Sequence, residues 1–292
     1  MVNEVTGKHK VSGKKIAAKC AIYFVLLLMY APLIYITVFS FTSSTTTGTW
    51  GGFDLKNYTS LFNVSGNIYS QKIWDAVGNT MKVALVASLL STILGTLGAI
   101  GIYNLRNKHL RNGMDFVTQI PVVNAEIVTA VSLLVLFLFF KSVFGLPLSF
   151  GTLVIGHIVL SIPYVVMSVT PKLEQMDPSL YEAALDLGAT RTQALFKVII
   201  PEIIPGILSG FMLSVTLSLD DFVITAFTKP SASGFETIST YVDSATAKKG
   251  LPTQFRALTA IIFAVILIVM IGMNVKNAID VKKAKASSYK GD

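Results

Sequence analysis

The chain has 292 residues, 52% of them hydrophobic and only 14% charged, against roughly 25% charged in a soluble domain; with a mean hydropathy of +0.65 it reads as a protein held mostly in lipid. A net charge of +8 would suit nucleic acid only on a soluble domain with a basic face, which this composition excludes, so no nucleic-acid partner is expected. One cysteine, Cys20, and no Cys/His cluster at zinc-ligand spacing leave disulfide, redox and metal chemistry without support.

Six apolar stretches are long enough to cross a hydrocarbon core, which takes roughly 20 helical residues. They run over Ala17–Phe41, Asn79–Tyr103, Met114–Phe140, Phe150–Thr170, Ile203–Thr228 and Ala257–Ile279. None alternates as a barrel strand would, so the expected fold is an all-α integral membrane protein of six transmembrane helices forming one transmembrane domain over residues 1–292. The first stretch follows Lys8, Lys10, Lys14, Lys15 and Lys19, is too long for a signal h-region, and is expected to be a retained helix.

Between the first two spans, the loop from Thr42 to Val77 is polar with scattered aromatics, Trp50, Phe53, Tyr58 and Trp74, and is expected to form a short capping segment. Residues of small volume recur every fourth position in the second span (Ala87, Ser91, Gly95, Ala99) and in the fifth (Gly206, Gly210, Ser214, Ser218). Such ladders let helix backbones approach closely, either within the chain or against a second chain.

The segment from Pro171 to Glu202 has the grammar of helix, glycine turn, helix. Asp177 can cap a helix that has Pro178 at its first position, Gly188 suits the left-handed residue that ends it, and Thr190 with Gln193 forms a capping box. Pro201 and Pro205 are expected to close the second helix. Leu180, Ala183, Ala184 and Leu187 make a narrow flat apolar face with Glu182 and Asp186 beside it, suited either to another protein's groove or to packing under its own bundle.

Lysine and arginine are unevenly placed. With the N-terminus inside, 16 of the 24 fall on inner segments, so both termini and the Pro171–Glu202 segment are expected in the cytoplasm. Three carboxylates, Glu126, Asp220 and Asp221, lie in apolar spans, where each costs about 2.5–3.5 kcal/mol on insertion scales and so needs a partner or a wet cavity. They either line a cation pathway or hold the bundle together. His157 reads as a packing residue, since no second titratable group lies one turn away on its own helix.

Glu182-Ala183-Ala184, Gly188, Val198 and Ile200-Pro201 resemble the EAA loop of ABC importer permeases, in which Gly follows EAA after three residues and Ile-x-Leu-Pro after nine more. Further similarity to the PotC-type permeases of spermidine/putrescine importers runs over nearly the whole chain. It is carried by Trp50-Gly51-Gly52-Phe53, Glu126-Ile127-Val128, Ser132-Leu133-Leu134, His157, Pro163-Tyr164, the run Ser218 to Thr225 with Asp220, Asp221 and Phe222, and Ala257-Leu258-Thr259. One departure stands at Asn124-Ala125, where a proline would precede the glutamate.

The resemblance implies a type I, MetI-like permease fold in a bacterial inner (plasma) membrane. It further implies a non-catalytic subunit that imports a polyamine and couples through Glu182, Ala183, Ala184, Asp186, Gly188 and Pro201 to a separate ATPase dimer. The implied partners are a second homologous permease, an extracytoplasmic binding protein and membrane lipid. Glu126, Tyr164, Asp220, Asp221 and Phe222 are the implied substrate-pathway candidates. No GxxxxGK[ST] loop occurs, so ATP and Mg are expected on the partner and no cofactor on this chain. The alternatives are a permease for iron or another cationic or small organic solute, or an ion-driven secondary transporter. The latter often has two inverted halves with broken helices, and no such repeat is evident in the sequence.

Overall fold

The computed structural model describes residues 13–44, 46, 48–230, 234–248 and 252–288. Among these the chain is helical apart from short connections and one isolated bridge, Thr42 to Phe53. Six helices are long and apolar enough to cross a membrane. Of the basic residues behind the orientation argument, Lys8, Lys10 and Lys290 lie outside the described residues.

Two compact units form, residues 1–71 with 251–292, and residues 72–250. In the first, α1 (Gly13–Phe39) and α2 (Lys56–Phe62) both pack on α12 (Thr253–Ser288). The expected capping segment is present as α2: Asn57 is buried and donates through Nδ2 to the Ser40 and Thr42 carbonyls at 2.9 and 3.1 Å. The Phe41 ring stacks on Phe53 at 5.6 Å. From Leu26 to Met29 the side chains of α1 are open, as a lipid-facing helix requires.

The second unit carries most of α3 (Ile68–Tyr103), then α4 (Lys108–Val123), α5 (Glu126–Phe144), α6 (Phe150–Gln175), α7 (Pro178–Asp186) and α8 (Arg191–Ala194). It continues with α9 (Ile200–Asp220), α10 (Val223–Thr228) and α11 (Ile238–Lys248). Its core joins α3, α6 and α9 through Ala99, Ile100, Val165, Val169, Leu173, Ile199 and Ile203. The small-residue ladders meet inside this core. Ser91 and Ser214 share a hydrogen bond of 2.7 Å. A Cβ on Gly95 would come within 2.7 Å of the Val165 side chain, and one on Gly206 within 2.9 Å of the Ser168 carbonyl. Packing within the chain therefore accounts for both ladders.

Several sequence boundaries need correction. The second span begins at Ile68, so Trp74 sits on α3 and not in the loop before it. The fourth runs through Pro171 to Gln175. Pro201 and Pro205 do not close a helix: α8 passes through a π-turn, Leu195–Ile199, straight into α9. Pro201 has no N–H to bond back one helical turn, and the wider turn before it, with Ile200 N–H bonded to the Leu195 carbonyl, absorbs that mismatch without a stop.

The third span, expected as one helix over Met114–Phe140, is two. Helix α4 ends at Val123, Asn124 and Ala125 are extended (ψ 145° and 129°), and α5 starts at Glu126. The fifth span breaks as well, at Asp221-Phe222, between α9 and α10. Two broken helices thus stand where continuous ones were read.

Candidate functional site

Helix α7 follows its sequence grammar closely. Asp177 accepts the Ser179 N–H at 2.9 Å, and that bond holds the Asp177 carboxyl below the usual carboxylate range. Gly188 sits at φ 86°, with its N–H on the Leu185 carbonyl and the Ala189 N–H on the Ala184 carbonyl, the reach-back bonds that end a helix in a left-handed residue. Thr190 and Gln193 exchange capping-box bonds of 2.9 and 3.3 Å.

The two faces of α7 differ. Tyr181 and Ala184 are half-buried, Tyr181 lying against the α3/α6/α9 core, while Leu180 is 44% and Leu187 89% exposed. Glu182, Ala183 and Asp186 are exposed beside them. Of the two roles that spacing alone left open, packing under the bundle falls to Tyr181, Ala184 and Leu185, and the Leu180/Ala183/Leu187 stripe stays uncovered. Pro201 lies apart from this face, in the first turn of α9.

The second constellation is a cavity of about 420 Å³ at the two helix breaks. Glu126, Tyr164, Asp220, Asp221 and Phe222 all line it, with Asn124, Thr129 and Thr216 adding polar groups. Three acidic residues and, among the described residues, no basic one line this space. Glu126 lies close enough to Asp220 and Asp221 to interact with both. It opens α5, so the position inferred from a continuous helix, part-way along its length, is corrected to the joint.

The three acids are not equivalent. Asp221 is buried, its carboxylate taken up by the N–H groups of Ile224 at 3.1 Å and Thr225 at 2.8 Å and by the Thr225 hydroxyl at 2.7 Å. From one residue before the N-cap position, Phe222, it supplies the carboxylate that caps α10, and its own N–H closes α9 on the Leu217 carbonyl. The Ser239 hydroxyl donates to the Asp221 carbonyl at 2.8 Å and ties α11 to the joint. Asp220 and Glu126 remain exposed to the cavity.

His157 is buried at this joint. Its Nδ1 is 2.9 Å from the Ser218 hydroxyl, its Nε2 3.0 Å from the Thr225 hydroxyl and 3.6 Å from Asp221 Oδ2. It is the satisfied packing residue expected, but a second titratable group does stand beside it, contributed by another helix. Neither Ser218 nor Thr225 drew attention as a partner, because the contacts span 61 and 68 residues of sequence. The capping signal itself was local: an aspartate followed by backbone donors three and four residues on, inside an apolar run.

Residues 87–284 match the family described as binding-protein-dependent transport system inner membrane component. The chain is 32% identical over 243 residues to the putrescine transport system permease protein PotI of Escherichia coli K12, covering 82% of this chain and 83% of that one. It is 34% identical over 246 residues to the spermidine/putrescine transport system permease protein PotC of the same organism, covering 83% and 87%. Among solved structures, one chain of a bacterial ABC transporter that imports the acidic polysaccharide alginate superposes with a TM-score of 0.68 at 16% identity, covering 90% of this chain and 95% of that one. A chain of the inward-facing MetNI methionine transporter gives 0.54 at 18% identity, covering 70% and 93%. At these identities the two structures speak for the fold alone.

Proposed function

The chain belongs to the family of binding-protein-dependent transport system inner membrane components, and from that premise we propose that it is the permease through which an ABC importer carries polyamines. The observation that carries the substrate class is the carboxylate-lined cavity at the two helix breaks, in whose wall no basic residue stands among the described residues. A polyamine offers ammonium groups separated by methylene stems. Glu126 and Asp220 supply counter-charge to the ammonium groups, and the Tyr164 and Phe222 rings supply faces on which a cation or a stem can rest. Among the described residues no three His, Cys, Asp or Glu side chains are grouped as an iron ion would call for. The relatives named for putrescine and spermidine support the same reading.

Coupling to a partner ATPase is assigned to the open stripe of α7, Leu180, Ala183 and Leu187, with Glu182 and Asp186 as polar flanks and Gly188 as the turn that aims it. ATP and Mg belong to that partner. A second permease would complete the pathway and an extracytoplasmic binding protein would deliver the cargo. The excess of lysine and arginine on alternate segments supports cytoplasmic termini and a cytoplasmic α7.

The test is uptake of labelled putrescine and spermidine by assembled transporter carrying Glu126→Gln, Asp220→Asn or both, with membrane abundance measured alongside. Each single change should lower uptake efficiency about ten-fold, the loss of one charge-assisted contact, and the pair should lower it further. Parental uptake by a normally assembled double variant would overturn the reading.

A further inference from the structure

We propose that His157 is a positioning residue that holds the α9/α10 joint through a one-way hydrogen-bond relay, and so fixes where the cavity carboxylates stand. This inference rests on the cavity being the cation route for its consequence, but not for its geometry.

The direction of the relay follows from donor and acceptor inventory. An ionised carboxylate only accepts, so the Thr225 hydroxyl spends its one proton on Asp221 Oδ2, at 2.7 Å. The same oxygen can then only accept from His157 Nε2, at 3.0 Å, which places the ring proton on Nε2. Nδ1 is left as an acceptor, and the Ser218 hydroxyl, at 2.9 Å, donates to it. The proton positions are thus assigned from the heavy-atom network. The chain runs Ser218 to His157 to Thr225 to Asp221 in one sense, every member buried.

The members come from both sides of the break, from the break itself and from a third helix. Ser218 is in the last turn of α9, Thr225 in the first turn of α10, Asp221 between them, and His157 on α6. Helix α10 has only six residues, too few to persist alone. It is held by the Asp221 cap, by the close approach of α6 at Gly156, and by the relay. The Asp221 carboxylate is consumed in this work. Asp220, its neighbour in sequence and on the cavity wall, takes its direction from the same break.

Two readouts separate positioning from mere packing. In assembled transporter, hydrogen exchange of the peptide containing Ile224 and Thr225 should speed about five-fold or more in His157→Leu, which fills similar space but cannot bond. It should return to within about two-fold of the parent in His157→Gln, whose amide offers one donor and one acceptor. The KM for polyamine uptake should rise and recover in the same order, with the maximal rate changed less. Ser218→Ala removes the first donor with little change of volume and should move both readouts in the same direction by a smaller factor; it serves where His157→Leu does not assemble. Parental exchange in both His157→Leu and Ser218→Ala would overturn the proposal, and so would equal impairment in His157→Leu and His157→Gln. If exchange follows the relay while uptake ignores Glu126→Gln and Asp220→Asn, the relay stands and the cation route fails.

Discussion

The α7–α8 turn and the α9/α10 joint are both places where a helix stops and another starts, yet they are built in opposite ways. At the turn each terminal group is satisfied by a neighbour within five residues: Asp177 with Ser179, Gly188 with Leu185, Thr190 with Gln193. At the joint the decisive partners come from α6 and α11, His157 and Ser239, as well as from the chain itself. The turn is a local solution on an open surface, whereas the joint is a shared, buried one. The first leaves the Leu180, Ala183 and Leu187 stripe open, the surface proposed for docking, and the second brings Glu126 and Asp220 to a cavity. A substitution at the turn should therefore change docking and leave the fold intact, and one at the joint should spread.

The broadest check on this comparison is whether the two regions lie at opposite ends of one membrane span. Single cysteines at Thr190 and Glu236, in a Cys20→Ala background, should label with an impermeant reagent from opposite sides, an all-or-none result. Labelling from one side would break the topology and with it the assignment of docking to one region and cargo entry to the other.

Next in size is Gly156→Val. A Cβ at Gly156 already comes within 2.7 Å of Ile224 Cγ2 and 3.2 Å of Thr228 Oγ1, and the two γ-methyls of valine would press further into α10. The expected cost is about 1–3 kcal/mol, seen as a lower thermal midpoint of the purified chain together with reduced polyamine uptake. An unchanged midpoint would mean that α10 yields freely, against the idea of a joint fixed by its neighbours.

At the turn, a Cβ on Gly188 meets no atom within 4 Å, so the left-handed φ of 86° is what opposes Gly188→Val. That strain is about 1–2 kcal/mol, and it falls on α7 and the turn that follows it. Membrane abundance and thermal midpoint should stay near parental while co-purification of the ATPase falls several-fold. A fall in abundance equal to that of Gly156→Val would erase the contrast between the two regions.

The same contrast explains what could be read from the sequence. Six spans follow from hydropathy, because backbone that crosses lipid must satisfy its polar groups within the segment and so shows as a long apolar run. The α7 caps follow from residue types at fixed offsets. The interior breaks did not emerge, since Asn124-Ala125 and Asp221-Phe222 sit in runs whose average hydropathy still says helix. The prolines misled in the other direction: Pro201 and Pro205 signal stops by local rules, yet α9 carries both directly after the π-turn, and α6 runs on through Pro171. The five cavity residues were nominated from resemblance and from the cost of burying charge. Their common cavity is a fact of packing that no spacing states. His157 was read alone because its partners are more than 60 residues away.

The smallest expected effect concerns the other break, where the resemblance leads to the expectation of a proline and this chain has Ala125. Ala125 adopts φ −62° and ψ 129°, a conformation a proline ring imposes, and Asn124 before it, at ψ 145°, is already in the extended region that a following proline requires. The hydrogen bonds that end α4 and start α5 use the Asn124 N–H and the Ala125 carbonyl, neither of which a proline at 125 removes. Ala125→Pro should thus be tolerated and stabilise the chain by about 0.4–1 kcal/mol, by narrowing the unfolded ensemble. A small rise in thermal midpoint with unchanged polyamine uptake is the expected pair of results. A drop in either would mean that the break needs freedom at Ala125, making it a hinge and leaving the α9/α10 joint as the one fixed wall of the cavity.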